Sequence, residues 1–251
     1  MTVTLIGSGN LATNLGHALK GAGVGILQIY SHTLAHAKLL ADELGVDAAC
    51  EQVDEINMRS DVYIVAVKDD ALPSVMDQLV RHLPDRLIVH TAGSMPMMGG
   101  GVFYPMQTFS RQRIVPFRHI PIFLETKRPE DMRVLRCLAE LLSDNIYELS
   151  SDERRWLHVA AVFCCNFTNH MATLAARLLE AHGIPFSVML PLMEETIQKL
   201  HALPPREAQT GPAARGDQSV MERHVRMLLE ESQDGLAELY ETISQSIQDN
   251  D

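Results

Sequence analysis

A chain of 251 residues, 46% of them hydrophobic, has enough apolar material to bury a substantial core as one large domain or two smaller ones. Its formal charge is −11, and the segment after Arg226 holds seven carboxylates and neither Lys nor Arg. Phosphate backbones are held mainly by those two residues, which argues against a nucleic-acid partner and against an anionic membrane surface. No apolar run in the sequence approaches the roughly 20 residues that span a bilayer. No charged leader with a small-residue cleavage site precedes the first strand-like run, so the expected location is cytoplasmic.

The first 150 residues alternate strand-like and helix-like segments. Apolar, β-prone runs lie at 3–6, 25–30, 61–67, 87–90, 119–124 and 145–149, with helical patterns at 11–22, 33–44, 72–82 and 129–142 between most of them. Strands apolar throughout and alternating with helices predict a mainly parallel sheet covered on both faces. From about residue 151 the pattern is helical only. Residues 152–182 contain no Pro or Gly and are apolar nearly all round; such a helix is expected to be buried, in its own domain or in a subunit interface. Gly183 and Pro185 then mark a stop and a new start. Two further helical stretches follow at 218–231 and 235–247, after a Pro/Gly-rich loop at 203–217. The expectation is an α/β fold: a Rossmann-type doubly wound sheet over residues 1–150, then an all-α domain over 151–251. Cys50, Cys137, Cys164 and Cys165 lack metal-ligand spacing, so no metal site is expected, and Cys164 and Cys165 should pack as small hydrophobes.

The chain opens strand, Gly7-Ser8-Gly9-Asn10-Leu11-Ala12, helix. This is G-x-G-x-x-A in the context that gives the motif meaning, within a βαβ unit. Gly7 permits a tight turn, Gly9 lets the backbone approach a pyrophosphate, and Ala12 allows close helix–strand packing. The helix N-terminus offers free N–H groups to the anion. The alternative is a strand–turn–helix with no ligand. An NAD site usually has a carboxylate at the end of the second strand for the ribose 2′-hydroxyl. Here Tyr30-Ser31-His32-Thr33 stand instead, which leans towards NADP(H) over NAD(H); Ser31 and Thr33 could equally cap the next helix.

Six stretches together carry a family resemblance: 7–12, "VYIVAVKDDAL" at 62–72, "VHTAGS" at 89–94, "YPMQTFS" at 104–110, "HVAAVFCCNFTNHM" at 158–171 and "TGPAARGD" at 210–217. The chain resembles the Rossmann-like proteins with a DUF2520 C-terminal domain, grouped with NADP oxidoreductases near pyrroline-5-carboxylate reductase, ketopantoate reductase and the β-hydroxyacid dehydrogenases. The resemblance implies a nicotinamide cofactor and a small-molecule substrate. Two positions depart from the family: His32 stands where an Arg is common, and Lys68 where a Pro is common.

Ligands of open α/β sheets lie beyond the carboxyl ends of the strands. Val67, Lys68 and Asp69 are therefore expected along the ribose and pyrophosphate, and His90 and Thr91 towards the nicotinamide. Gln107 is expected on the same rim. His90 has an equal alternative as a strand-end histidine bonded to backbone. On a uniform α-helix with His158 as origin, Asn169 falls at about 20°, Asn166 at about 80° and His170 at about 120°. That polar stripe is either a bonded interhelical seam or one wall of a cleft.

In related dehydrogenases the resemblance implies a Lys and an Asn on this helix; no Lys or Arg lies between Arg155 and Arg177. The reading is that His158 serves as general acid and Asn166 orients the reacting group, with Asn169 beside them. Arg215 is expected to bind a substrate carboxylate, or else to pair with Asp217. The resulting expectation is hydride transfer to or from a C=O or C=N of a small, carboxylate-bearing substrate, in a homodimer built through the helical half. The rivals are a non-catalytic NADP-binding sensor or assembly protein, and chemistry with a deazaflavin partner.

Overall fold

The computed structural model describes residues 1–249. In chain order the first half runs β1 (Thr2–Ile6), α1 (Asn10–Gly21), β2 (Gly25–Tyr30), α2 (Leu34–Leu44), β3 (Ala49–Cys50), β4 (Val62–Val65), α3 (Leu72–His82), β5 (Leu87–His90), β6 (Gly101–Pro105), β7 (Ile122–Thr126), α4 (Pro129–Glu140) and β8 (Ile146–Glu148). They form one eight-stranded sheet in the order β3-β2-β1-β4-β5-β6-β7-β8. Every pairing is parallel except β6 with β7.

Alternation along each strand divides the core between two faces. On one side Leu5, Ile64, Val89 and Phe103 pack with Leu15 of α1, Leu40 of α2 and Leu135 of α4. On the other, Ile6, Tyr63, Val65 and Ile88 pack with Leu72, Met76 and Leu79 of α3. Further along that second face, Val102, Tyr104 and Phe123 receive Leu157 of the next helix. The strand order reverses at β1, which has β2 on one side and β4 on the other. This switch point is where an open sheet leaves a crevice.

After β8 the chain enters α5 (Ser151–Ala161), a π-helical turn over Val162–Phe167, and α6 (Thr168–Ala181). Then come α7 (Leu190–Ala202), α8 (Pro205–Ala208), α9 (Gln218–Glu230) and α10 (Asp234–Asp249). Compactness divides the chain between His170 and Met171. The change in composition at Ser150 marks the start of α5, and α5 packs with the sheet.

Three expectations change. The long helix is not buried by its own chain: Trp156 is 77% exposed and Phe163 64%. Cys164 and Cys165 are likewise exposed, because they lie on this uncovered stretch. The helix Ser151–Ala181, at 31 residues, is also long and apolar enough to cross a membrane by length and composition. Its scattered polar residues hide that length from a search for unbroken apolar runs.

Candidate active site

The turn after β1 is held from both sides. Gly7 has φ 126°, and its N–H donates to the Tyr30 carbonyl at 2.8 Å. A Cβ on Gly7 would lie 2.2 Å from the Ala66 carbonyl oxygen, so dihedral and space both demand glycine. Gly9 sits at the N-cap of α1 in extended conformation, with no side-chain cap and no acid in the first turn. Nothing lies within 4 Å of a Cβ placed on Gly9. The first N–H groups of α1 are therefore left for an incoming anion. Ala12 is buried beneath them.

A cleft of about 460 Å³ opens over this turn. Gly7, Ser8, Gly9, Ser31, His32, Val67 and Lys68 line it, together with His36. The Ser8 hydroxyl donates to the Ser31 hydroxyl at 2.9 Å, tying the loop after β1 to the loop after β2. Asn10, Leu11, Thr33, Asp69 and Thr91 stand outside the lining. His36 is a residue the sequence reading missed, although its position one turn into α2 was visible from the helical period. Neither Ser31 nor Thr33 caps α2: Thr33 occupies the N-cap position without a side-chain bond. The Leu34 N–H instead donates to the Glu51 carboxylate at 3.0 Å. Glu51 lies just past the two-residue strand β3, which no local pattern announces.

Further along the strand ends, the Thr91 N–H and hydroxyl both donate to the Val65 carbonyl, at 3.0 and 3.2 Å. Asp69 accepts from the Ser94 hydroxyl, linking the loops after β4 and β5. His90 is fully buried. Its Nε2 donates to the Pro96 carbonyl at 3.0 Å and its Nδ1 accepts from the Ala92 N–H at 3.2 Å. Burial, then the Arg154 guanidinium, pushes the imidazole down to about 4, so it is neutral with both nitrogens spent on backbone.

The helix α5 reaches this rim because it is anchored below it. Ser150 and Glu153 form a capping box. One residue on, Arg154 is fully buried; it pairs with the Glu125 carboxylate of β7 and donates to the Met95 carbonyl at 2.6 Å. Leu157 packs on the apolar patch of β6 and β7. One helical turn beyond Arg154, the His158 imidazole meets Tyr104 of β6, with Nδ1 3.3 Å from the phenol oxygen. Gly93 completes the group: a Cβ there would lie 2.7 Å from His158 Nδ1 and 2.9 Å from the Tyr104 oxygen. His158 stands out in the sequence as a polar residue on an apolar helix, whereas nothing local marks Tyr104 within the stretch 104–110.

Asn166 lies inside the π turn, exposed, and Asn169 follows it, also exposed. A π turn carries one more residue than an α turn, so the angles of a uniform α-helix do not hold beyond residue 162. Everything after the turn is set back by roughly 100°. His170, not Asn169, then comes nearest the His158 direction. Gln107 is exposed, and its side-chain oxygen accepts from the Thr108 N–H at 2.7 Å. Arg215 is paired with Asp217, with Nε and Nη2 at 3.0 and 2.8 Å from one carboxylate oxygen.

Residues 120–247 match the family model described as a domain of unknown function, DUF2520. Residues 2–93 match the one described as NADP oxidoreductase, coenzyme F420-dependent. A candidate NADP oxidoreductase from Bacteroides fragilis is 45% identical, with 99% of this chain and 98% of that chain covered and a TM-score of 0.92. The chain belongs to the DUF2520 family. A Thermotoga maritima protein of the same fold is 24% identical over 98% of both chains, with a TM-score of 0.81. An imine reductase variant from Myxococcus stipitatus, in complex with NAD+, shares the fold at 17% identity, 98% and 92% coverage and a TM-score of 0.65. Among curated proteins none matches the chain. The match over residues 2–93 supports an oxidoreductase with a nicotinamide cofactor.

Proposed function

We propose that the protein is an NADP(H)-dependent oxidoreductase that moves a hydride to or from a C=O or C=N carbon of a small molecule. The observation that carries this reading is the unbroken rim of contacts from the glycine turn to His158. It runs Gly7 against Ala66, Ser8 to Ser31, Asp69 to Ser94, and Gly93 against Tyr104 and His158. The dinucleotide would lie in the cleft, its pyrophosphate on the α1 N–H groups and its adenosine ribose beside Ser31, His32, His36 and Lys68. When bound, the nicotinamide supplies or accepts the hydride.

The chain's own groups handle the proton. His158, as imidazolium, gives its Nε2 proton to the substrate oxygen or nitrogen while hydride arrives at carbon; in the oxidative direction the ring left with its hydrogen on Nδ1 takes that proton back at Nε2. Asn166, exposed in the π turn, orients the same heteroatom; π turns recur at functional positions. Arg215 forms a solvent-exposed pair with Asp217, a weak contact that a substrate carboxylate would have to displace.

The uncovered apolar residues of the long helix and of α7 (Leu192 64% exposed, Ile197 51%) favour a homodimer through the helical half. In the second compact unit, only Ala213, Met221 and Ala237 among the described hydrophobic residues are buried. Asn166, Asn169 and His170 within the long helix suit a protein partner better than lipid.

The test is NADPH consumption against a panel of small ketones and imines, by the wild type and by His158→Ala. Turnover that falls at least 100-fold in the variant supports the assignment. Turnover that is equal in both removes His158 from the chemistry.

A further inference from the structure

We infer that Tyr104 is a positioning residue for His158, holding the imidazole so that Nε2 is reserved for the substrate. This deepens the proposed reading and rests on it for its catalytic consequence, though not for its geometry. Tyr104 is 8% exposed, at the carboxyl end of β6, and its hydroxyl has His158 Nδ1 at 3.3 Å. A buried hydroxyl needs an acceptor for its proton. Among the described residues, His158 Nδ1 is the one hydrogen-bond partner found for the phenol. Burial raises the phenol above its ordinary range, which keeps it an O–H donor. The phenol therefore donates to Nδ1, and the neutral ring carries its hydrogen on Nε2, the nitrogen that does not meet Tyr104.

When a proton from solvent charges the ring it is carried on Nδ1, and the phenol oxygen turns from donor to acceptor while its own hydrogen turns to water. Nε2 carries a hydrogen in both states. Once Nε2 has given its proton to a substrate heteroatom, the ring keeps Nδ1–H against the phenol, and solvent returns a proton to Nε2.

Three neighbours fix the arrangement. Tyr104 is held by its ring against Phe123, with centroids 6.1 Å apart. His158 is held by the turn of α5 that Arg154 ties to Glu125. Gly93 lies where a methyl group would press on both, 2.7 Å from Nδ1 and 2.7 Å from the phenol ring carbon that bears the oxygen. Its lack of a side chain is what lets the two rings meet.

The experiment uses the full chain without added cofactor or substrate. Imidazole ¹⁵N shifts of His158, assigned by comparison with His158→Gln, report which ring nitrogen carries the hydrogen in the neutral form. The wild type should show the Nε2–H form with Nδ1 as acceptor. Tyr104→Phe keeps the ring and removes only the oxygen, and should give a mixture of both forms; Gly93→Ala, which separates the rings, should do the same. A wild-type ring with its hydrogen on Nδ1, or an unchanged form in Tyr104→Phe, overturns the inference. In turnover, Tyr104→Phe should lower kcat roughly 10- to 100-fold while leaving KM for NADPH unchanged. If the ¹⁵N result holds but His158→Ala turns over normally, the proposed chemistry fails and the positioning stands.

Discussion

Replacing Arg154 by Met tests the anchoring of the site. The Arg154 side chain is 1% exposed and the partner Glu125 side chain 16%, so the change strands a carboxylate in a mostly buried place. Removing one partner of a buried pair costs about 3–5 kcal/mol. Glu125 keeps the Ser151 N–H and hydroxyl as donors at 2.9 and 2.8 Å, while the Met95 carbonyl loses its Arg154 donor. These offset in part and place the expected loss near the lower bound, about 3 kcal/mol. The double variant Arg154→Met/Glu125→Leu removes the stranded charge and should recover about 2 kcal/mol of that loss. The assay is urea unfolding followed by far-ultraviolet circular dichroism, which reads the loss of the helices directly. A loss below about 1 kcal/mol in the single variant, or no recovery in the double, would refute the reasoning.

Three other outcomes follow from the same geometry. His90 is held down to about 4 in the folded protein against 6.5 when exposed. The unfolded chain takes up this proton first as pH falls, and stability should drop by about 3 kcal/mol between pH 6.5 and 4. Unfolding curves of wild type and His90→Gln across that window test this; equal acid sensitivity would contradict it. Gly7→Ala forces a Cβ against the Ala66 carbonyl at a left-handed φ, for a loss on the order of 3 kcal/mol, read as a lowered melting temperature. Glu51→Gln removes the negative charge at the start of α2 and should tighten NADPH several-fold with little effect on NADH, read by fluorescence titration of both.

The parallel strands and the glycine turn were legible because their signals are local. β1, β2 and β5 are short apolar runs bounded by turns, and G-x-G-x-x-A stands between a strand and a helix. β6 was harder, since Gly99, Gly100 and Gly101 dilute its apolar pattern. β3 is two residues long, held by pairing with Ile29 and Tyr30, and offers no period to read. His158 could be picked out as a polar residue on an apolar helix. Tyr104 could not, because its meaning comes from a contact 54 residues away in sequence. The angular stripe beyond residue 162 was misread for a physical reason: a π turn leaves no mark in composition. The Glu125–Arg154 pair likewise joins residues 29 apart whose types alone look like surface charge.

Calorimetric titration of the purified protein with NADPH, and separately with NADH, tests the central claim most directly, because it needs no substrate. The glycine turn, the uncapped start of α1 and the cleft beside Ser31 and Lys68 predict saturable binding at one site per chain, tighter for NADPH than for NADH. Absence of binding by either nucleotide would contradict the cradle, and the oxidoreductase mechanism built on it would fall as well.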